Sequence, residues 1–252
     1  AIFMAQGGGF RTVASCDDGR TWVLHVPGNG NGGDHSEGAP QGLAAGAGRF
    51  VTAHGWGAAG SLRVSEDGLA WNASRTNGGG FGGVLFAGGA FLVIDGGVMA
   101  SADGNLWQRV GQVNLGTHQR RFTGLETETG SVAIVTGYEG VGDANSTRRI
   151  ALSRDGGKTW KVSDIPDCVY AQQFEGGVTY GGGVFVSVGA NGGVCRSTDR
   201  GATWTRTGTV GGSVGSVLWT GSAFAAYGGS RVYVSADGVS WQSQLLGGAS
   251  AV

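Results

Sequence analysis

The chain has 252 residues, 54 of them glycine and only 3 proline, and 17 basic against 18 acidic side chains give a formal charge of −1. So even a balance offers no electrostatic case for a nucleic acid or an anionic membrane as partner, and no apolar run reaches the length of a membrane span. Abundant glycine without a triplet period excludes collagen, scarce proline excludes proline-rich disorder, and a hydrophobic content of 40% is enough for a core.

Taken in order, the chain repeats one short element. It stands at Ser15–Trp22 (SCDDGRTW), Ser65–Trp71 (SEDGLAW), Ser101–Trp107 (SADGNLW), Ser153–Trp160 (SRDGGKTW), Ser197–Trp204 (STDRGATW) and Ser235–Trp241 (SADGVSW). Self-similarity at blade-sized intervals marks an array of like supersecondary units. Each copy separates two apolar or β-branched runs, the pattern of two strands joined by a tight turn. The Asp is expected to accept amide hydrogen bonds across the turn, and the Gly to supply a positive φ. The Trp is expected to cover the turn and bury a large apolar surface between neighbouring sheets.

These residues resemble the Asp-box (BNR) repeat of sialidases, other glycosidases, sortilin-type receptors and photosystem assembly factors. The resemblance implies a β-propeller in which each turn joins the two outer strands of a blade, on the face away from the ligand. It implies no particular activity. A sialidase would need an Arg-Ile-Pro segment near the start; none occurs, and Arg11 and Arg20 fall on the wrong strands, so that activity is not expected.

The six repeat aspartates, Asp17, Asp67, Asp103, Asp155, Asp199 and Asp237, are separated by 50, 36, 52, 44 and 38 residues, room for four short strands each. The expected fold is all-β: one domain over residues 1–252, a six-bladed β-propeller with four-stranded antiparallel blades. Upstream of each turn a glycine-rich first strand leads to an aromatic second strand, at Gly42–Phe50, Gly83–Phe91, Gly124–Val132, Gly177–Phe185 and Ser216–Phe224. Around Asp17 only three strands fit: Ile2–Gln6, Arg11–Ser15 and Thr21–Val26. The missing one is expected from Ala249–Val252, closing the ring by pairing of the N- and C-terminal strands.

Two kinds of loop should rise to one face: the links between blades and the connections between second and third strands. The links include Pro27–Gln41, Gln112–Thr123 and Asp164–Glu175. The connections include His54–Gly60, Asp95–Gly97 and Thr136–Arg149, the largest insertion and an expected lip or lid. Function is sought on such loops. His35, His54 and His118 are the candidate metal ligands, with Asp95 as a further ligand or general base; a divalent ion, Zn²⁺ or Ca²⁺, would be the cofactor. No H-x-H spacing backs the set, and the plainer reading is separate polar loop residues. Arg120 and Arg149, with Arg121 and Arg148, suit an anionic group or serve as surface charge. Asp34, Glu37, Glu139 and Asp143 read as solvated carboxylates, a general base or hard-cation ligands. Trp56, flanked by glycines, is the best aromatic platform for a ligand, followed by Tyr138 and Tyr170; Trp219 is expected in the core. Cys16 reads as a small buried filler. Cys168 and Cys195 share one repeat interval and are either bonded or free.

Three functions fit. The first is a metal-dependent hydrolase of an ester, lactone or phosphoester at the axial mouth, with Asp95, Arg120 and Arg149 as catalytic residues. By architecture alone it resembles six-bladed lactonases and organophosphate-cleaving esterases. The second is a lectin-like module that binds glycans without turnover, and the third a protein-interaction scaffold. The expected partner is a small-molecule substrate or a glycan, with no nucleic acid and no membrane. Secretion or a periplasmic location is expected, although no signal peptide is visible; Ala1 reads as a processed start.

Overall fold

The computed structural model describes residues 3–6, 12–17, 20–25, 40–54, 60–78, 83–95, 97–114, 118–127, 130–139, 147–164, 177–189, 192–212, 214 and 216–245. Two compact units divide the chain: residues 1–113 with 155–159, and residues 114–154 with 160–252.

The first unit holds three sheets. The first consists of β1 (Phe3–Gln6), β2 (Thr12–Ser15) and β3 (Val23–His25). The second runs β4 (Pro40–Gly46), β5 (Arg49–His54), β6 (Gly60–Ser65), β7 (Asn72–Gly78), and the third β8 (Val84–Ala87), β9 (Ala90–Ile94), β10 (Val98–Ser101), β11 (Gln108–Gly111). In the second unit the fourth sheet is β12 (His118–Thr127), β13 (Gly130–Glu139), β14 (Thr147–Ser153), β15 (Lys161–Asp164). The fifth is β16 (Gly177–Gly181), β17 (Val184–Val188), β18 (Gly193–Ser197), β19 (Thr205–Thr209). The sixth is β20 (Ser216–Trp219), β21 (Phe224–Gly228), β22 (Arg231–Ser235), β23 (Gln242–Leu245). Among the described residues every sheet is an antiparallel meander in chain order, and the first alone has three strands. Ala249–Val252, the segment expected to complete it, lies outside the described residues.

Burial grades across each sheet. The second strands β9 and β17 are buried on both faces almost throughout, whereas the fourth strands β11, β19 and β23 are largely exposed. A strand buried on both faces reads as a near-continuous apolar run, which is what Phe91–Ile94 and, broken only by Ser187, Val184–Val188 supply. Phe91, Phe185 and Phe224, on the second strands β9, β17 and β21, are fully enclosed, each contributing roughly 3 kcal/mol of transfer free energy. Their partners are the aromatic residues of the first strands: Phe86 on Phe91, Tyr180 on Phe185 and Trp219 on Phe224, with ring centroids 4.9, 5.0 and 4.6 Å apart. Trp219 thus packs against a core cluster while staying half-buried. A side chain at Gly181 would run into its indole, so only glycine fits there.

The six repeats form one kind of turn, joining the third and fourth strands of the four-stranded sheets and β2 to β3 in the first. The Ser hydroxyl donates to the Asp carboxylate two residues on, at 2.8–3.0 Å in five copies. That hydroxyl also accepts the turn glycine's amide, at 2.8 Å for Gly68, Gly104, Gly201 and Gly238. The Asp accepts the amides that follow, such as those of Asn105 and Leu106 on Asp103. The indole N–H of Trp71, Trp107 and Trp204 then donates to the carbonyl of its own turn glycine. The turn also docks. A Cβ at Gly104 would come within 2.6 Å of Val51 in the preceding sheet, one at Gly157 within 2.8 Å of Val98, and one at Gly201 within 2.6 Å of Leu152. Each of these glycines has φ near +80°, so conformation and close approach select the same residue.

Two expectations about the repeat are corrected. Trp204 is buried and Trp71, Trp107, Trp160 and Trp241 are half-buried, Trp107 and Trp241 against core clusters, but Trp22 is exposed. Cys16 is a free, exposed cysteine and not a buried filler. It follows the inward-facing Ser15, so strand alternation turns it outward, as it does Glu66, Ala102, Arg154, Thr198 and Ala236 in the other copies.

A third correction concerns loops. Gln112–Thr123 and Thr136–Arg149 were expected to be connections, but β12 begins at His118, β13 continues to Glu139 and β14 begins at Thr147. The insertion lengthens the sheet itself, because once paired the backbone satisfies its own polar groups without apolar alternation.

Candidate functional site

Each sheet has a turn end, where the Ser–Asp–Gly turns lie, and an opposite end. The opposite ends differ. β12 and β13 have 10 residues each, while the other first and second strands have 4 to 7. Counted from positions equivalent in the repeat, Val132 and Phe185, β13 runs four residues further than β17, a distance of about 13 Å.

Backbone register places several candidates side by side on this extension. His118 pairs with Tyr138, and Tyr138 with Arg148, forming one row across three strands. The next rung holds Gln119, Gly137, Arg149 and Asp164. The ladder shifts between Gln119 and Arg121, so Arg120 is the extra residue of a bulge, a device that re-aims a strand near functional sites. Registered partners share a face and the faces alternate along a strand. Arg148 therefore lies on the face of Ile150 and Leu152, which pack with Val178, Phe185 and Trp204 of the fifth sheet. Backbone register puts His118, Tyr138 and Arg148 in the row that alternates with the rung of Arg149.

His54 and Asp95 sit at equivalent places, the first ending β5 and the second following β9. His54 is fully enclosed, with its Nε2 3.1 Å from the Thr52 hydroxyl, which lies 3.2 Å from the Gly42 carbonyl. If Thr52 donates to that carbonyl, Nε2–H donates to Thr52 and leaves Nδ1 as the ring's lone pair. This is a histidine held within its own sheet. Asp95 is half-buried; its amide donates to the Gly97 carbonyl at 2.8 Å, and Arg109 donates to its carbonyl at 3.4 Å. Among the described residues no group of three or more His, Cys, Asp or Glu is placed to hold a metal ion. His35, Trp56 and Tyr170 lie outside the described residues. Cys195 is buried and disulfide-bonded, and its candidate partner Cys168 also lies outside them.

The turn carboxylates form a second polar set, bound up in structure. The hydroxyl and amide of Thr21 hold Asp17 down to about 2. The amides of Asn105 and Leu106 hold Asp103 at about 2 as well. Acids this strongly ionised are poor proton donors or bases near neutrality.

What sequence reasoning missed is the row itself. Its signal was present: Thr136 and Tyr138 continue the alternation of Ala133–Val135, and Arg148 precedes Ile150 and Leu152 at the same spacing.

No protein-family model matches the chain, and no curated protein sequence matches it. Solved structures do. YCF48 bound to a D1 peptide is similar at a TM-score of 0.63 and 16% identity, over 95% of this chain and 77% of that one. A nidogen/laminin complex gives 0.62 and 12%, over 96% of this chain and 92% of that one. The GH74 xyloglucanase from Xanthomonas campestris gives 0.61 and 15%, over 97% of this chain but only 43% of the enzyme. At these identities the likeness shows the fold alone, and that fold is the all-β propeller.

Proposed function

We propose that the chain is a carbohydrate-binding propeller that takes its ligand at the lengthened end of the fourth sheet and does not turn it over. The six sheets are then six blades with Asp-box turns, the first completed by the C-terminal residues. The observation that carries the reading is the register His118–Tyr138–Arg148, which brings an aromatic residue between two residue types that can donate hydrogen bonds, on neighbouring strands. Tyrosine offers an apolar face with a polar tip, the combination that a sugar ring with its C–H face and hydroxyl rim requires. Trp56 and Tyr170 are further stacking candidates, and a xyloglucanase among the similar folds supports the reading at the level of fold only. The disulfide at Cys195 supports an oxidising compartment, secreted or periplasmic.

The test is a glycan panel read by calorimetry. Wild type should bind at least one oligosaccharide, and Tyr138→Ala should lose that binding with an unchanged thermal midpoint. Absence of binding across the panel would contradict the reading.

The metal-dependent hydrolase is the second reading, favoured by the equivalent placement of His54 and Asp95 at two strand ends. A Zn²⁺ or Ca²⁺ ion would need His35 and His118 to join them, with His54 ligating through Nδ1. Elemental analysis giving about one equivalent of metal, lost in His118→Ala, would support it.

A further inference from the structure

We infer that the ligand taken at this end is an acidic glycan, one bearing carboxylate or sulfate groups, recognised by Arg148 in the row with His118 and Tyr138 and by Arg120 at the bulge. This rests on the carbohydrate-binding reading and adds the ligand's charge.

Three observations lead there. The first is the concentration of charge. The whole chain carries −1, yet His118, Arg120 and Arg121 on β12 and Arg148 and Arg149 on β14, the two strands that flank β13, gather at one end of one sheet. Among the described residues only Glu139 and Asp164 oppose them there. The second is the register, which separates the two adjacent arginines. Arg149 stands across the ladder from Asp164, an opposite-charge pair of the kind that stabilises a sheet. Arg148 alternates to the other face, where its ladder partner is Tyr138. Arg149 is thereby assigned to structure and Arg148 to recognition. The third is the bulge, which takes Arg120 out of pairing three strands from Asp164. Guanidinium groups recognise carboxylates and sulfates by paired, charge-assisted hydrogen bonds, while a neutral sugar gives them no comparable partner.

The experiment compares binding of polygalacturonate, heparin, neutral xyloglucan and single-stranded DNA to four purified proteins: wild type, Arg148→Ala, Arg149→Ala and Arg231→Ala. Arg231 is exposed in the sixth sheet and serves as the control. Wild type should bind polygalacturonate or heparin, and the preferred one separates carboxylate from sulfate recognition. Arg148→Ala should weaken that binding about tenfold or more at an unchanged thermal midpoint. Arg149→Ala should lower the midpoint with little change in affinity, and Arg231→Ala should match wild type. Xyloglucan binding equal to that of the acidic polymers and indifferent to Arg148→Ala would overturn the inference and leave the carbohydrate reading standing. DNA bound as tightly as the acidic glycans would overturn it in favour of a general polyanion surface. No binding to any of the glycans would remove both.

Discussion

At the turn end, seven or eight residues are repeated six times and solve one problem in one way. At the opposite end one sheet has strands of 10 residues where the other first and second strands have 4 to 7. The turn end is self-contained: serine, aspartate and glycine satisfy one another's polar groups, and the glycine seats the turn on the preceding sheet. The opposite end of the fourth sheet has the reverse character, with arginine, histidine and tyrosine on a ladder that extends beyond the core. Scaffold and recognition are thus separated along the strand axis, and each prediction below tests that separation.

The largest effect should come from the turn glycines. Gly201→Ala puts a methyl within 2.6 Å of Leu152 Cδ1 at a φ of +82° and should cost about 2–4 kcal/mol by chemical denaturation. Arg148→Ala, at the other end, should stay within about 0.5 kcal/mol of wild type. Next comes Ser101→Ala. It deprives the buried Gly104 amide of its acceptor and should cost about 1–2 kcal/mol.

Acid should act through the same end. Asp17 and Asp103 have folded pKa values of about 2, below the ordinary 3.8. A carboxylate depressed on folding adds stability above its unfolded pKa, and that contribution is lost as pH falls through the folded value. The denaturation midpoint should therefore hold steady from about pH 7 to 5 and drop between about pH 4 and 2. Asp17→Asn with Asp103→Asn should flatten that drop. The smallest effect is a gain. Arg200 holds a φ of +63° where the fourth-sheet turn has Gly156, so Arg200→Gly should raise stability by up to about 1 kcal/mol.

The turn end was legible because its rules are local. The Ser-x-Asp spacing, the glycine and the tryptophan each act within eight residues, and the three strands around Asp17 could be counted from them. The aligned first strands of the second, third, fifth and sixth sheets were found close to where expected, since a hairpin such as Ala47-Gly48 or Gly182-Gly183 fixes register by its own length. The opposite end was harder to read for physical reasons. Gly137, Glu139 and Arg148–Arg149 look like loop residues, and only cross-strand pairing, which leaves no local mark, makes them strand. Sequence likewise does not show that the Thr52 hydroxyl meets the His54 ring at Nε2. Cys16 and Trp22 were placed inside by residue type, yet the turn presents both to solvent.

The most direct measurement replaces residues 138–148 with a two-residue Asn-Gly turn, so that Gly137 and Arg149 close a hairpin of ordinary length. Glycan binding and thermal unfolding are then compared with wild type. A protein that unfolds cooperatively near the wild-type midpoint and binds no glycan is the predicted result. Glycan affinity retained in the shortened protein would contradict the account and put recognition elsewhere in the fold.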